Sequence, residues 1–203
     1  MKFWIVLLII AIIVLIWLLF WNNSNNGNNT NYPPLPIVNV DLNKYQGLWY
    51  EIARLPNMFQ EGCINSTATY TVNPNKTMGI QNRCQLVDPS SNPMGSTPNQ
   101  TGIPTIAIDG TAYPNYNEAV FGSNIFPGSF TTVMANQPSH MKVEGNYNVL
   151  LLDPSYRYAL VGTNDRKFLW ILSRTRTMNP LSYNEYIKYA AQLGYDTNAI
   201  IKN

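Results

Sequence analysis

Gly47-Leu48-Trp49-Tyr50-Glu51-Ile52-Ala53-Arg54 is a run rich in aromatic and apolar residues, closed off a few positions later by Pro56-Asn57. Such residues suit a pleated, half-buried surface, so the segment predicts a β-strand at 47–54. Outward from it, similar short runs recur at hairpin spacing and predict strands near 65–72, 77–87, 105–113, 130–135, 146–153, 156–162 and 168–174. Turn residues separate several of them: Asn73-Pro74-Asn75-Lys76, Asp153-Pro154-Ser155 and Gly162-Thr163-Asn164-Asp165. Eight short strands joined mainly by hairpins predict all-antiparallel β-structure, a sandwich or an up-and-down barrel. The proline-rich stretches 88–104 and 114–128 read as long loops.

The period changes after Asn179-Pro180, an N-cap followed by proline at the first helical position. Leu181, Tyr186, Ile187, Ala190 and Leu193 then keep to helical spacing, and Gly194 suits the position just past the end. This predicts an amphipathic helix of about thirteen residues packed on the outside of the sheet.

The domain begins near residue 39, behind two segments of different character. Phe3 to Trp21 are nineteen consecutive apolar residues without a charge, glycine or proline. A helix of that length spans roughly 28 Å, close to a bilayer's hydrocarbon thickness. Trp4, Trp17 and Trp21 stand near its ends, as interfacial anchors do, and Lys2 favours a cytoplasmic N-terminus. Residues 1–21 therefore read as a signal anchor that exports the remainder of the chain; the rival is a cleaved signal peptide and a secreted domain. Residues 22–38, dominated by asparagine and then by Pro33-Pro34-Leu35-Pro36, read as a linker.

Composition narrows the function. Only 12% of the 203 residues are Asp, Glu, Lys or Arg, against about 25% in an ordinary soluble domain. Thirteen basic and eleven acidic side chains leave a charge of +2 with no basic run, which argues against a nucleic-acid partner. One histidine and two cysteines exclude multi-ligand zinc patterns, and no metal or other cofactor is expected. Cys63 and Cys84 flank the 73–76 turn almost symmetrically, which places them on adjacent strands within reach of a disulfide. Two buried thiols, or one reactive thiolate, are the alternatives.

The segment Asp41 to Arg54, with Gly47-Leu48-Trp49 at its centre and Leu55-Pro56-Asn57 and Glu61-Gly62-Cys63 after it, resembles the first strand of the lipocalins. It is similar to the branch that contains the bacterial outer-membrane lipocalins and apolipoprotein D. Tyr158-Ala159-Leu160-Val161-Gly162, Phe168-Leu169-Trp170-Ile171-Leu172-Ser173-Arg174 and Leu193-Gly194-Tyr195-Asp196 continue the likeness in the same order. Three departures stand out. A membrane-length tract replaces the bacterial lipid-attachment cysteine, 88–104 lengthens one loop, and 114–145 carries Gly/Pro-rich insertions.

The resemblance implies an eight-stranded barrel with an external C-terminal helix. It also implies a structural plug at one end, made of Gly47, Trp49 and Arg174. With Trp49 and Arg174 facing inward, alternation points Glu51 and Ala53 on the first strand, and Phe168, Trp170 and Leu172 on the last, to the same side. Ala68, Tyr70, Tyr147, Val149, Leu151, Tyr158 and Leu160 are the expected lining on other strands, with Met58 and Phe59 at the mouth. Such a lining suits a small hydrophobic or amphipathic ligand, a lipid or fatty acid, bound without covalent chemistry. The expectation is therefore a binding protein and not an enzyme. A lipocalin-type isomerase using Cys63 or Cys84, and a surface adhesion module with a filled barrel, are the other readings.

Overall fold

The computed structural model describes residues 32–87, 97–98, 104–115, 125–135 and 146–203. The expected anchor at 1–21 and most of the linker lie outside the described residues. Among those described, no helix is long and apolar enough to cross a membrane.

Strand β1 (Asn39–Asp41) leads into a single helical turn, α1 (Leu42–Tyr45), and then β2 (Gly47–Arg54). Asp41 makes that turn possible: its carboxylate accepts the free Asn43 N–H at 3.0 Å. Next come β3 (Cys63–Val72), β4 (Met78–Leu86), β5 (Thr97–Pro98), β6 (Pro104–Pro114), β7 (Ile125–Pro127), β8 (Ser129–Met134), β9 (Tyr147–Leu152), β10 (Tyr158–Gly162) and β11 (Leu169–Ser173). The chain ends with α2 (Pro180–Gln192) and β12 (Ile201–Lys202). The antiparallel order β11-β10-β9-β8-β6-β4-β3-β2 closes on itself because β11 also pairs with β2, giving an eight-stranded barrel with no open edge.

Each of the eight sequence-predicted strands falls within two residues of a barrel strand. The 88–104 and 114–128 stretches, expected as loops, are not structureless throughout. Thr97–Pro98 pairs with β6, β6 runs on to Pro114, and Ile125–Pro127 pairs with β1. These pieces are too short to show an alternating pattern. The β1–β7 ribbon covers one end of the barrel, where Val40, Leu42, Tyr45, Phe126 and Phe130 are buried in one cluster with Trp49. Residues 33–38, expected in the linker, are docked on the domain: Leu35 is buried, Arg166 Nη2 donates to Pro33 O at 2.6 Å and Val38 N to Val149 O at 3.1 Å.

Helix α2 packs outside the barrel, as its one-sided pattern predicts. Asn179 caps it by accepting from Leu181 N and Ser182 N, and Gly194 stands just past its end at φ +90°. Tyr186 and Ala190 press on Leu150, Leu160, Leu169 and Ile171 of the outer wall. Leu181, expected on that face, is instead 75% exposed.

Gly162 is where the helix end is locked to the wall. A Cβ added there would lie 2.7 Å from Tyr195 Cζ and 3.1 Å from Leu150 Cδ1. Tyr195 holds its place by donating to Thr163 O at 2.9 Å. Gly162→Ala is expected to cost about 1–3 kcal/mol through overpacking. Gly79→Ala, whose nearest neighbour would stand 3.8 Å away, serves as the control in a urea-denaturation comparison.

Candidate functional site: the barrel interior

The closed end is built around Trp49. Its indole is fully buried and donates to Tyr45 O at 2.7 Å. The Arg174 guanidinium lies 3.9 Å from the indole ring centre. Arg174 also donates to Leu48 O (2.9 Å), Lys44 O (2.7 Å), Tyr45 O (3.1 Å), Gln46 O (2.9 Å) and Tyr156 O (3.3 Å). One planar cation thus binds five carbonyls of the one-turn helix and its neighbours, a task for which arginine's fork of donors is suited. Gly47, at φ +94°, completes the plug: a Cβ there would sit 3.4 Å from Arg174 Nη1. Outside this end, Lys44, Pro154, Ser155, Tyr156 and Arg174 border a groove of about 470 Å³, but the Arg174 nitrogens are already engaged.

The inner wall rises from that floor. Ala68, Tyr70, Met78, Ile80, Ala112, Val149, Ala159, Val161 and Leu172 belong to the same buried cluster as Trp49, with Tyr147 and Trp170 packed against it. Of the expected lining, Ala68, Tyr70, Tyr147, Val149, Trp170 and Leu172 therefore stand on the interior side. Phe168 joins them at the upper rim, its ring stacked on Trp170 at 6.1 Å and 6.0 Å from Phe59. Met58 and Phe59, in the turn Met58–Gln60, are 67% and 42% exposed at the mouth.

Four expected lining residues are on the outside instead, in the cluster beneath α2: Ala53, Leu151, Tyr158 and Leu160. Two are displaced by β-bulges, in which one extra residue reverses the alternation. Ile171 pairs with Ala53 but Leu172 with Glu51, so Ile52 is the extra residue and Ala53 turns outward. Leu160 pairs with Leu151 but Val161 with Val149, so Leu150 is extra and Leu151 turns outward. Tyr158 and Leu160 reflect a phase error with no bulge. Val161 pairs with Trp170 and Ala159 with Leu172, so Ala159 and Val161 face in. Tyr158 meets Tyr186 of α2 edge-on at 6.3 Å.

The bulge at Ile52 also brings Arg54 to the side of Glu51. This pair is buried, Arg54 Nη1 donating to Glu51 Oε1 at 2.8 Å, while Arg54 Nη2 donates to Gln60 O and Cys63 O, both at 3.1 Å. Gln60 is the hub of this network: its amide donates to Glu51 Oε2 at 2.6 Å and accepts from Trp170 Nε1 at 2.8 Å and Asn57 Nδ2 at 2.9 Å. Burial pushes the Glu51 carboxyl above the usual range, against the pull of Gln60 and Arg54. Sequence reasoning missed Gln60 altogether; the one signal was an acidic residue on an inward position of an apolar strand.

Higher on the wall, Cys63 and Cys84 form a disulfide. They pack with Leu86 and Ile106, and Cys84 shares the inward face of β4 with Met78 and Ile80. Asn82 stands on that face between Ile80 and Cys84 and is nonetheless exposed, so water reaches the inner wall above Ile80. Among the described residues no cluster of His, Cys, Asp or Glu could hold a metal ion.

A family model described as a lipocalin-like domain matches residues 40–102 and 107–203. A lipocalin of Acanthamoeba polyphaga mimivirus is 36% identical over 167 residues, covering 81% of this chain and 85% of its own. Temperature-induced lipocalin-1 of Arabidopsis thaliana is 32% identical, covering 82% and 80%. The outer membrane lipoprotein Blc of Escherichia coli is 32% identical, covering 80% and 78%. Among solved structures, lobster apocrustacyanin A1 is similar in fold at 16% identity, with a TM-score of 0.52 over 79% of this chain and 77% of that one.

Proposed function

The chain belongs to the lipocalin family, and from that premise we propose that its barrel carries or stores a small hydrophobic or amphipathic molecule, a lipid or fatty acid. The observation that carries this is a water-accessible inner wall, marked by exposed Asn82, above a sealed floor and within a lining that is mainly apolar and aromatic, its Glu51–Arg54 charges paired with each other. Binding is reversible burial: each methylene removed from water contributes about 0.8 kcal/mol until the cavity is filled. No covalent step is needed. Cys63 and Cys84 are joined to each other, so neither supplies the thiolate that a cysteine-based isomerase requires.

The domain acts on the extracytoplasmic side of a membrane, tethered by residues 3–21 and the asparagine-rich linker. The disulfide supports an oxidising compartment, and the similarity to a protein named an outer membrane lipoprotein supports the same placement. A brominated fatty acid titrated into the delipidated full-length chain in amphipol tests the binding. Saturable quenching of Trp fluorescence is expected, and its amplitude falls in Trp170→Phe because that indole lies on the interior side of the wall. Absence of saturable quenching at every chain length overturns the proposal in favour of a filled-barrel surface module.

A further inference from the structure

Directly above the plug, three tyrosine hydroxyls meet. Tyr45 rises from α1 with its ring 4.9 Å from that of Trp49. Tyr70 on β3 and Tyr147 on β9 reach in from strands four places apart in the eight-stranded order, hence from opposite walls. Tyr147 Oη lies 2.7 Å from Tyr45 Oη and 2.9 Å from Tyr70 Oη.

Three hydroxyls carry three hydrogens, and the two contacts between them use two. No acceptor for the third is found among the described residues. Tyr45 is fully buried and Tyr70 is 4% exposed, whereas Tyr147 keeps part of its surface accessible. The arrangement that satisfies most groups has Tyr45 and Tyr70 both donating to Tyr147, filling its two lone pairs and leaving its own proton without an acceptor among the described residues. Two incoming hydrogen bonds polarise that O–H and strengthen it as a donor. Burial pushes all three phenols upward in pKa, that of Tyr70 to about 12, so the donor persists at neutral pH.

We propose that Tyr147, backed by Tyr45 and Tyr70, is a hydrogen-bond-donor subsite at the base of the cavity that takes the uncharged carbonyl oxygen of an otherwise apolar lipid. The ligand therefore lies polar end down. A carboxylate fits this position poorly. It would have to be stripped of water, the Arg174 nitrogens beyond Trp49 are already engaged by carbonyls, and the one cation on the interior side, among the described residues of this network, is Arg54, which is paired with Glu51. This subsite rests on the cavity proposed above, and the probes separate the two.

Competition against the brominated fatty acid, with the full-length chain in amphipol, compares a long-chain 2-alkanone, the alkane of equal length and the corresponding fatty acid anion. The alkanone is expected to bind roughly three- to tenfold more tightly than the alkane, the range of one net hydrogen bond. Its carbonyl stretch is expected to shift to lower frequency on binding. Tyr147→Phe removes the preference and the shift, and a cooperative thermal transition of the variant reports an intact barrel. A variant with Tyr45, Tyr70 and Tyr147 all changed to Phe does the same without leaving a hydroxyl unpaired. Equal binding of alkanone and alkane, a preference that survives in both variants, or tighter binding of the fatty acid anion overturns the subsite and leaves the cavity standing. Binding of none of the probes overturns both.

Discussion

Trp49→Ala is expected to lower stability by about 3–5 kcal/mol, the cost of deleting a large aromatic side chain from a packed core. For a domain of this size that corresponds to a fall of roughly 6–20 °C in Tm. Three losses add up at this position. The indole is fully buried, its N–H leaves Tyr45 O with one donor fewer, and the guanidinium of Arg174 loses the aromatic face on which it rests. Neighbours cannot close the gap cheaply, because Arg174 is held in place by five carbonyls and Tyr45 by Tyr147. Trp49→Phe keeps a ring under the guanidinium and deletes only the N–H donor and some area, so it is expected to cost less. Calorimetry of the two variants beside the parent protein makes the check, and an unchanged Tm in Trp49→Ala would remove Trp49 from its role as the barrel's floor.

The second large effect is expected at the disulfide. Cys63 and Cys84 are 21 residues apart in sequence, and closing a loop of that size stabilises by about 3 kcal/mol in the chain-entropy treatment. The bond acts mainly by restricting the unfolded chain, so its loss should leave the native barrel recognisable while lowering Tm by roughly 6–12 °C. Both sulfurs are buried against Leu86 and Ile106, so a double Cys→Ala variant removes the bond without placing a hydroxyl in that cluster. Denaturation of this variant, beside the parent with and without reductant, separates the cross-link from packing. A parent whose stability is indifferent to reductant under unfolding conditions contradicts the assignment.

Much of the architecture could be read from single positions. The turns at 73–76 and 153–155 and the run from Gly47 to Arg54 locate strands because β-branched and aromatic runs between breakers have few other uses. Trp49 and Arg174 could be paired through the family resemblance. The interior was harder to read, because alternation holds only while pairing is regular. One extra residue at Ile52 and another at Leu150 each reverse the phase, and nothing in Ile or Leu announces a bulge. The misplaced pair Tyr158 and Leu160 was more accessible to sequence reasoning. Gly162 pairs with Leu169 across the hairpin, and once Trp170 is taken as inward, antiparallel pairing points Val161 and Ala159 inward with it. Gln60 was illegible for another reason. Its place depends on a turn whose geometry brings one amide within reach of Glu51, Asn57 and Trp170 together.

Closure of the barrel between β2 and β11 has a kinetic consequence. Arg174 meets carbonyls from which it is separated by up to 130 residues, and neither the β2–β11 ladder nor the plug can form before the other strands are in line. Closure across that separation is slow relative to formation of the hairpins, because loop closure precedes the contacts that reward it. During that interval β2 presents an unpaired edge to other chains. The β3–β4 hairpin, which needs only local contacts and carries its own covalent link, is the piece positioned to organise first and to shorten that exposure.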